Sequence, residues 1–513
     1  MAMTLSRKQF LQGVVLAGAA GGLSGFAAQA ADVPAAGKPA ADKASLPPVT
    51  AAAADFVVGA KWSDLPPDLV AIGKLHILDA LGLALTGERA ETAPVVLKYL
   101  KSLGVIAGKN AAGKATVLGT GLKAAAPFAA FANGIAMHAD DFDDTQLAVA
   151  KDRVYGLLTH PTVTALAASL AASESRGVSG RDFMVSYHLG VEVSTKVCEA
   201  IGPRSYQSGF HSTSMCGVFG AAAAAGKVYG LDASGIRKAL GLAGAGASGL
   251  RENFGTMTKP FQAGHAAEGG VEAAEMTALG WTAAENILEA KRGFFAAFGD
   301  GYDPASILGK LGNPWTLVSP GVSIKPYPSG SLTHPAMDEL LALIHDNRIT
   351  ADQVSAVKVG TNKHMLNTLI HHDPRTGLQG KFSMEYCMAT LVLDGHAGLR
   401  QFTDEQVNRP AVREMMKRVT FYNNPEADSV GADKMHSIVE IELKDGRTFT
   451  GRADFAKGGP KKPFTFADSV EKFEGCAEYA RLPKSRTQAV VAQVRDLEDL
   501  KDIRALVANL ARS

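Results

Sequence analysis

The chain is poor in cysteine. Its 513 residues hold four, Cys198, Cys216, Cys387 and Cys476, far apart and without a C-x-x-C pair. That excludes a disulfide framework and leaves no ligand run for an iron–sulfur cluster. Net charge is scarce as well. Lys and Arg number 52 against 51 Asp and Glu, a formal +1, and no sustained basic or acidic run points to a nucleic-acid partner. The apolar stretch from Phe10 to Ala28 is interrupted by glycines and makes a poor spanning helix. Strand-like alternation is almost absent before residue 320.

What remains is an ordinary globular composition, 46% hydrophobic and 20% charged, on a chain too long for one core, so two or more domains are expected. Residues 1–30 are different. Arg7 and Lys8 precede the apolar stretch, no acidic residue occurs, and Ala28-Gln29-Ala30 has the A-x-A form of a signal-peptidase site. "SRKQFL" resembles the twin-arginine signal S-R-R-x-F-L, with Lys8 in place of the second arginine. The expectation is a periplasmic protein cleaved after Ala30, its net charge near −1 (+1 minus the two lost cations). Residues 31–50, rich in Ala, Pro and Lys, read as a flexible linker.

Helical patterning follows. Leu75, Leu78, Leu81 and Leu85 recur at three- and four-residue steps before Gly87, and Ala-rich segments at 161–175, 215–229 and 265–280 continue it. We read 51–320 as a large helical domain. Near residue 320 the texture changes: "SAVKVGTN" and "RVTFYNN" are β-branched and aromatic. In "SIVEIELKDGRTFTGRADF", Val439, Ile441 and Leu443 alternate with Glu440 and Glu442 before an Asp445-Gly446 turn. Residues 321–460 thus form a smaller α+β domain, and 461–513 return to helix, expected to pack back on the first domain. The fold class is mainly α with an α+β lid.

The densest chemistry is "HADDFDDT", residues 138–145. On a helix, DDxxD would put carboxylates on one face to hold Mg²⁺ against a diphosphate, but such enzymes need a second acidic motif and the chain has none. Elsewhere histidines stand where helices begin: His160 before Pro161, His211 in "GFHSTSM", and His334 before Pro335 in "IKPYPSGSLTHP". Arg251, Lys259 and Lys325 lie in the same segments. Helix N-termini and lysines favour anions, so these segments describe a pocket for a small carboxylate with acid–base groups inside. Two rival motifs lack context. "GAGASG" (244–249) follows a helix, not a strand, and reads as a turn or close packing; "HHD" (371–373) reads as a solvated loop.

In order along the chain, "HADDFDDT…HP", "GFHST", "TKP", "K.YP…H", "KFSMEYCMATLVLDG" and "EKFEGCA" resemble the MmgE/PrpD family, which includes 2-methylcitrate dehydratase and cis-aconitate decarboxylase. The resemblance covers about residues 52–505. It implies a homodimer with the site between the helical domain and the lid, working without metal or organic cofactor. It carries Asp141 and Thr145 over to the D-F-D-D-T motif, and His160, His211, Lys259, His334 and Tyr386 to the family's site positions. Two departures stand beside the substrate: residues 146–159, with Lys151 and Arg153, form a longer spacer, and Gln262 stands where a histidine is frequent.

The expected chemistry is proton abstraction beside a carboxylate. Asp141 and His160 form the acid–base pair, with His211 or His334 as alternative partner. Lys259, Lys325 and Arg251 pair with substrate carboxylates, and Thr145 and Tyr386 also contact substrate. Dehydration of a 2-methylcitrate-like hydroxy acid leads. Decarboxylation or epimerisation of the same substrate class passes through a similar intermediate, and an exported, non-catalytic carboxylate-binding paralogue is the rival class.

Overall fold

The computed structural model describes residues 47–107, 114–147, 158–202, 204–299, 301–431 and 434–511. The expected signal peptide, linker residues 31–46, Lys151 and Arg153 lie outside the described residues. The linker ends short of residue 50, because Val49 already opens helix α1 (Val49–Gly59), with Val49, Ala54 and Val57 fully buried.

Helix α2 (Pro67–Gly87) begins with a proline at its first position, where the missing N–H costs nothing. It is long and apolar enough to cross a membrane. Here it is a core helix. Leu69, Ile77, Leu78 and Leu81 are fully buried, each contributing about 2 kcal/mol, and His76, Asp79 and Thr86 are the polar side chains buried along it. Then follow α3 (Thr92–Ser102), α4 (Ala126–His138), α5 (Pro161–Arg176), α6 (Gly180–Ala200), α7 (Ser212–Val228), α8 (Ala233–Ala245) and α9 (Thr258–Ala278). Small residues set how closely these pack. A Cβ on Gly134 would lie 2.8 Å from the Cα of Gly264, so α4 and α9 touch backbone to backbone. That contact fixes the C-terminal end of α4, from which the aspartate loop departs.

The smaller part has its own core. Helices α10 (His334–Asp346) and α11 (Met384–Asp394) lie with a four-stranded sheet of β1 (Val354–Thr361), β2 (Val419–Asn423), β3 (Ser437–Leu443) and β4 (Thr448–Ala453), in the order β2-β1-β3-β4. β1 and β2 run parallel; the other pairs are antiparallel. Val439, Ile441 and Leu443 are buried beside Met337, Leu340 and Met388, while Glu440 on the other face meets Lys358 directly across the strands at 2.9 Å. The β3–β4 turn is longer than the expected two residues. Leu443 N–H donates to Arg447 O across a three-residue connection, 444–446, with Gly446 at φ 87°; this is the bulged hairpin form that needs a left-handed glycine.

Three helices close the chain: α12 (Phe466–Ala480), α13 (Lys484–Arg495) and α14 (Arg504–Leu510). Phe473, Val490, Val494 and Leu506 belong to the large core, not the small one. Helix α12 lies on α2 through Gly82, where an added Cβ would meet Phe473 and Cys476, and this seats Lys472 under the aspartate loop.

Candidate active site

The aspartates of "HADDFDDT" lie in a loop after α4, not on a helix, so no single carboxylate face exists. Asp141 itself is left-handed at φ 51°, a conformation that costs a non-glycine residue on the order of 1 kcal/mol and persists only where surroundings enforce it. The enforcing contacts are charges, and each carboxylate has its own. Asp140 accepts from Thr86 Oγ1 at 2.7 Å, and Lys381 Nζ donates to its carbonyl at 2.5 Å. Asp141 is paired with Lys259 and, at 3.1 Å, with Lys325. Asp143 accepts from His138 Nδ1 at 2.8 Å and lies 3.2 Å from His160 Nδ1. Asp144 pairs with His76 at 2.7 Å and accepts from the Thr162 hydroxyl. Four like charges in five positions are tolerable because helices α2, α4, α5 and α9 and the lid segment each bring a counter-group.

Asp141, Lys259 and Lys325 are at most 3% exposed. Burial alone would raise the Asp141 carboxyl, but Lys259 and Lys325 overcome it and hold the group well below the usual range, so it is ionised. Lys325 also donates to Asp141 O at 2.9 Å. A two-way bridge fixes its segment: Thr145 N–H to Ser323 O at 2.8 Å and Ser323 N–H to Thr145 O at 2.9 Å. Lys259 Nζ sits 5.5 and 5.3 Å from the ring centres of Phe254 and Phe382, whose apolar faces keep water from screening it.

The histidines at helix starts do not cap. His160 and His211 occupy the N-cap positions of α5 and α7, yet neither side chain bonds its helix. His211 Nδ1 lies 2.7 Å from Gln262 Oε1, and Gln262 Nε2 donates to Leu250 O at 3.0 Å. The amide is thereby oriented, so Nδ1 of His211 carries the proton and its buried Nε2, which has no hydrogen-bond partner, keeps a lone pair. Burial first, then His138 and Lys259, holds His211 well below the usual histidine range. His138, stacked 5.8 Å from His211, is lowered to about 4 by burial. It is neutral at pH 7 and donates to an ionised Asp143.

Asp141, Thr145, His160, His211, Lys259 and Lys325 all line one cavity of about 50 Å³, with Ser331 and Leu332 from the lid side. Two ammonium groups against one carboxylate leave it attractive to an anion. The other sequence-predicted residues lie elsewhere. His334 lines an adjoining cavity with Lys325, its Nε2 3.1 Å from Ser329 O. Arg251 lies over the Tyr206 ring at 3.8 Å and donates to Tyr206 O; it supports the wall that Tyr206 forms. Tyr386 does not line the pocket: its ring is buried in the lid core against Phe402, and its hydroxyl donates to Gln401 O. "GAGASG" is the last two residues of α8 and the turn that follows it beside the site, with Gly249 O accepting from His211 N–H at 3.0 Å.

Sequence reasoning passed over His138, His76, Lys381 and Lys472. His138 opens the very motif that raised the question, and His76 and Asp79, three apart on an apolar helix, were a readable polar stripe. Ligand-capable atoms of His138, Asp143 and His160 lie within 4.8 Å of one another, the trio among the described residues best placed for a metal. Both imidazoles turn Nδ1 toward Asp143, so a cation between those three atoms would have to displace the hydrogen bonds the trio now makes.

Comparison with known proteins settles the affiliation. Residues 51–306 match the MmgE/PrpD N-terminal domain and residues 327–498 the MmgE/PrpD C-terminal domain. The chain belongs to the MmgE/PrpD family. Among its relatives in this family, the cis-aconitate decarboxylase of Mus musculus is 30% identical over 90% of this chain and 93% of its own length. That of Homo sapiens is 29% identical over 91% and 95%, and that of Aspergillus terreus 26% over 92% and 97%. Lys325 lies between the two matched segments, and the pocket draws on both, with Asp141, His160 and Lys259 from the first and Ser331, Leu332 and Phe382 from the second.

Proposed function

We propose that the chain is a lyase acting on a small carboxylate, and more finely a carboxy-lyase for an unsaturated tricarboxylate such as cis-aconitate. The observation that carries this reading is the Lys259–Asp141–Lys325 constellation, a buried double-lysine site whose only internal anion can yield to a substrate carboxylate. The relatives' activity favours loss of CO₂ over the loss of water expected from sequence.

In this reading Lys259 and Lys325 hold the carboxylate next to the bond that breaks. The C–C bond to the leaving carboxylate cleaves, CO₂ departs, and the electron pair delocalises into the remaining unsaturated carboxylate, whose growing charge the two ammonium groups stabilise. His160 then delivers a proton to carbon, and Asp143 beside its Nδ1 offsets the charge on the ring while it holds that proton. His211, with Nε2 fixed as an acceptor, orients the substrate or takes a proton in the reverse sense. Dehydration would instead remove a proton from the carbon beside a carboxylate of a hydroxy acid, and the β-hydroxyl, protonated as it leaves, would depart as water from the resulting enolate-like carbanion.

Proton NMR in D₂O tests the reading, with cis-aconitate, citrate and 2-methylcitrate as substrates, CO₂ measured in parallel, and EDTA added in a second series. CO₂ release with deuterium placed on carbon, unchanged by EDTA, is the expected result. Turnover without CO₂ supports dehydration or isomerisation; activity lost to EDTA assigns the His138–Asp143–His160 trio to a metal; silence across the panel refutes the lyase reading. We infer export from residues 1–30 and a homodimer from the family resemblance, to be checked by cell fractionation and by light scattering.

A further inference from the structure

The catalytic cavity is too small for its substrate. About 50 Å³ holds a few waters, whereas sites that enclose small molecules run to roughly 300–1,000 Å³. A cavity of about 440 Å³ adjoins it and shares Leu158, Lys325, Ser331 and Leu332 with it. Its charge is one-sided. Lys325, Lys434, Lys457 and Lys461 line it together with the rings of His334 and His364, and among the described residues no Asp or Glu does. Lys434 and Lys457 meet carboxylates, Asp454 at 3.3 Å and Asp468 at 2.8 Å, but neither carboxylate lines the cavity. Lys325 is the hinge between the spaces: its ammonium faces Asp141 while its segment walls the larger cavity.

We infer that the larger cavity is an anion-binding vestibule, which captures a polycarboxylate at Lys434 and Lys461 and passes it along Lys325 to the catalytic pocket. The inference rests on the lyase reading for its substrate class but not for its binding site. A low-dielectric cleft lined by one sign of charge concentrates the opposite ion and speeds its capture, and that gain is screened by salt. The outer lysines therefore govern arrival, and the inner pair governs chemistry.

The test uses the full chain and propane-1,2,3-tricarboxylate, a saturated tricarboxylate with no double bond to carry the decarboxylation. Calorimetric titration at 20 mM and 500 mM NaCl compares wild type with K434Q/K461Q and with K434R/K461R. The dissociation constant at low salt should rise about tenfold in the Gln variant, converge with wild type at high salt, and stay near wild type in the Arg variant. Equal affinity of wild type and the Gln variant at low salt overturns the vestibule, as does the absence of any binding by wild type. Turnover of the NMR panel separates this from the functional reading. A tenfold binding defect without turnover of any carboxylate keeps the anion site and sinks the lyase; turnover with no binding defect does the reverse. Where both hold, the Gln variant should raise KM and leave kcat unchanged.

Discussion

Lys472 Nζ donates to the backbone carbonyls of both Phe142, at 2.8 Å, and Lys325, at 2.9 Å. One ammonium on α12 thus clamps the aspartate loop to the segment carrying Lys325, a lysine of the candidate pocket. Its third partner is Asp79 on α2, at 2.6 Å, and the Phe142 ring lies 3.7 Å below it. All three N–H donors are spoken for, so helix α12 holds the distance between Asp141 and Lys325.

Replacing Lys472 by Met removes that clamp and strands Asp79. We expect stability to fall by about 3 kcal/mol, the usual result of breaking a buried pair, and kcat to fall at least tenfold. K472M/D79N separates the two effects. Removing the stranded carboxylate should recover much of the melting temperature but not kcat, because Phe142 O and Lys325 O still lack their donor. If kcat recovers together with stability, Lys472 is a structural residue and no more.

Asp141→Asn tests the central charge. Without the carboxylate, Lys259 and Lys325 are buried cations without a counter-charge, so the melting temperature should drop while turnover falls at least a hundredfold. An inert tricarboxylate can then stand in for the lost anion, and ligand linkage predicts a larger thermal upshift in the variant than in wild type. Equal upshifts, or near-normal turnover, would place the substrate carboxylate elsewhere.

Gln262 sets the His211 tautomer. In Gln262→Glu a carboxylate would face Nδ1, favouring the imidazolium and raising the His211 pKa from its depressed position. The fraction with a free Nε2 lone pair then falls in the acidic range, so the acid limb of the kcat profile should move to higher pH. An unmoved profile removes His211 from proton transfer.

Tyr386→Phe is the sharpest contrast between resemblance and geometry. The F-S-x-x-Y motif led us to expect a substrate contact, yet the hydroxyl serves Gln401 O inside the lid core. The expected loss is about 1 kcal/mol of stability with kcat/KM within about twofold of wild type. A hundredfold loss in steady-state assays would show that the tyrosine reaches substrate in another state of the lid.

These contacts show which parts were legible from the chain. Helices α2, α5, α7 and α9 and strands β1 to β3 were readable because periodicity is local: Leu75 to Leu85 and Val439 to Leu443 display their buried faces within a few residues. Asp141, His160, His211, Lys259 and Lys325 were readable because they sit beside helix starts or inside short motifs. The counter-groups were not. His76 meets Asp144 across 68 residues, Lys472 reaches Phe142 across 330, and no local pattern states such a pairing. The DDxxD reading, set aside for want of a second acidic motif, also lacks its geometry, because α4 ends at His138 and helical spacing does not apply to Asp140 through Asp144.

The pH dependence of stability follows from which buried groups are held away from their solution protonation. His138 and His188 are lowered to about 4 and His334 to about 3, burial being the main cause in each, and His211 also lies well below the usual value. Between pH 6.5 and about 4 the unfolded chain takes up protons at these four rings that the folded chain refuses, so acidification destabilises the fold. Two carboxyls act oppositely. Burial raises Asp79 to about 6 and Glu192 to about 7, so the folded state keeps their protons while the unfolded state releases them, a contribution present at low pH and lost as pH rises through 6 to 7. Four histidines outweigh two acids, and the melting temperature should fall by several degrees from pH 7.5 to pH 5. Glu192→Gln removes one opposing group and should steepen the fall; calorimetry at four pH values measures both slopes, and a melting temperature that rises on acidification would mean that the histidines are charged in the folded protein.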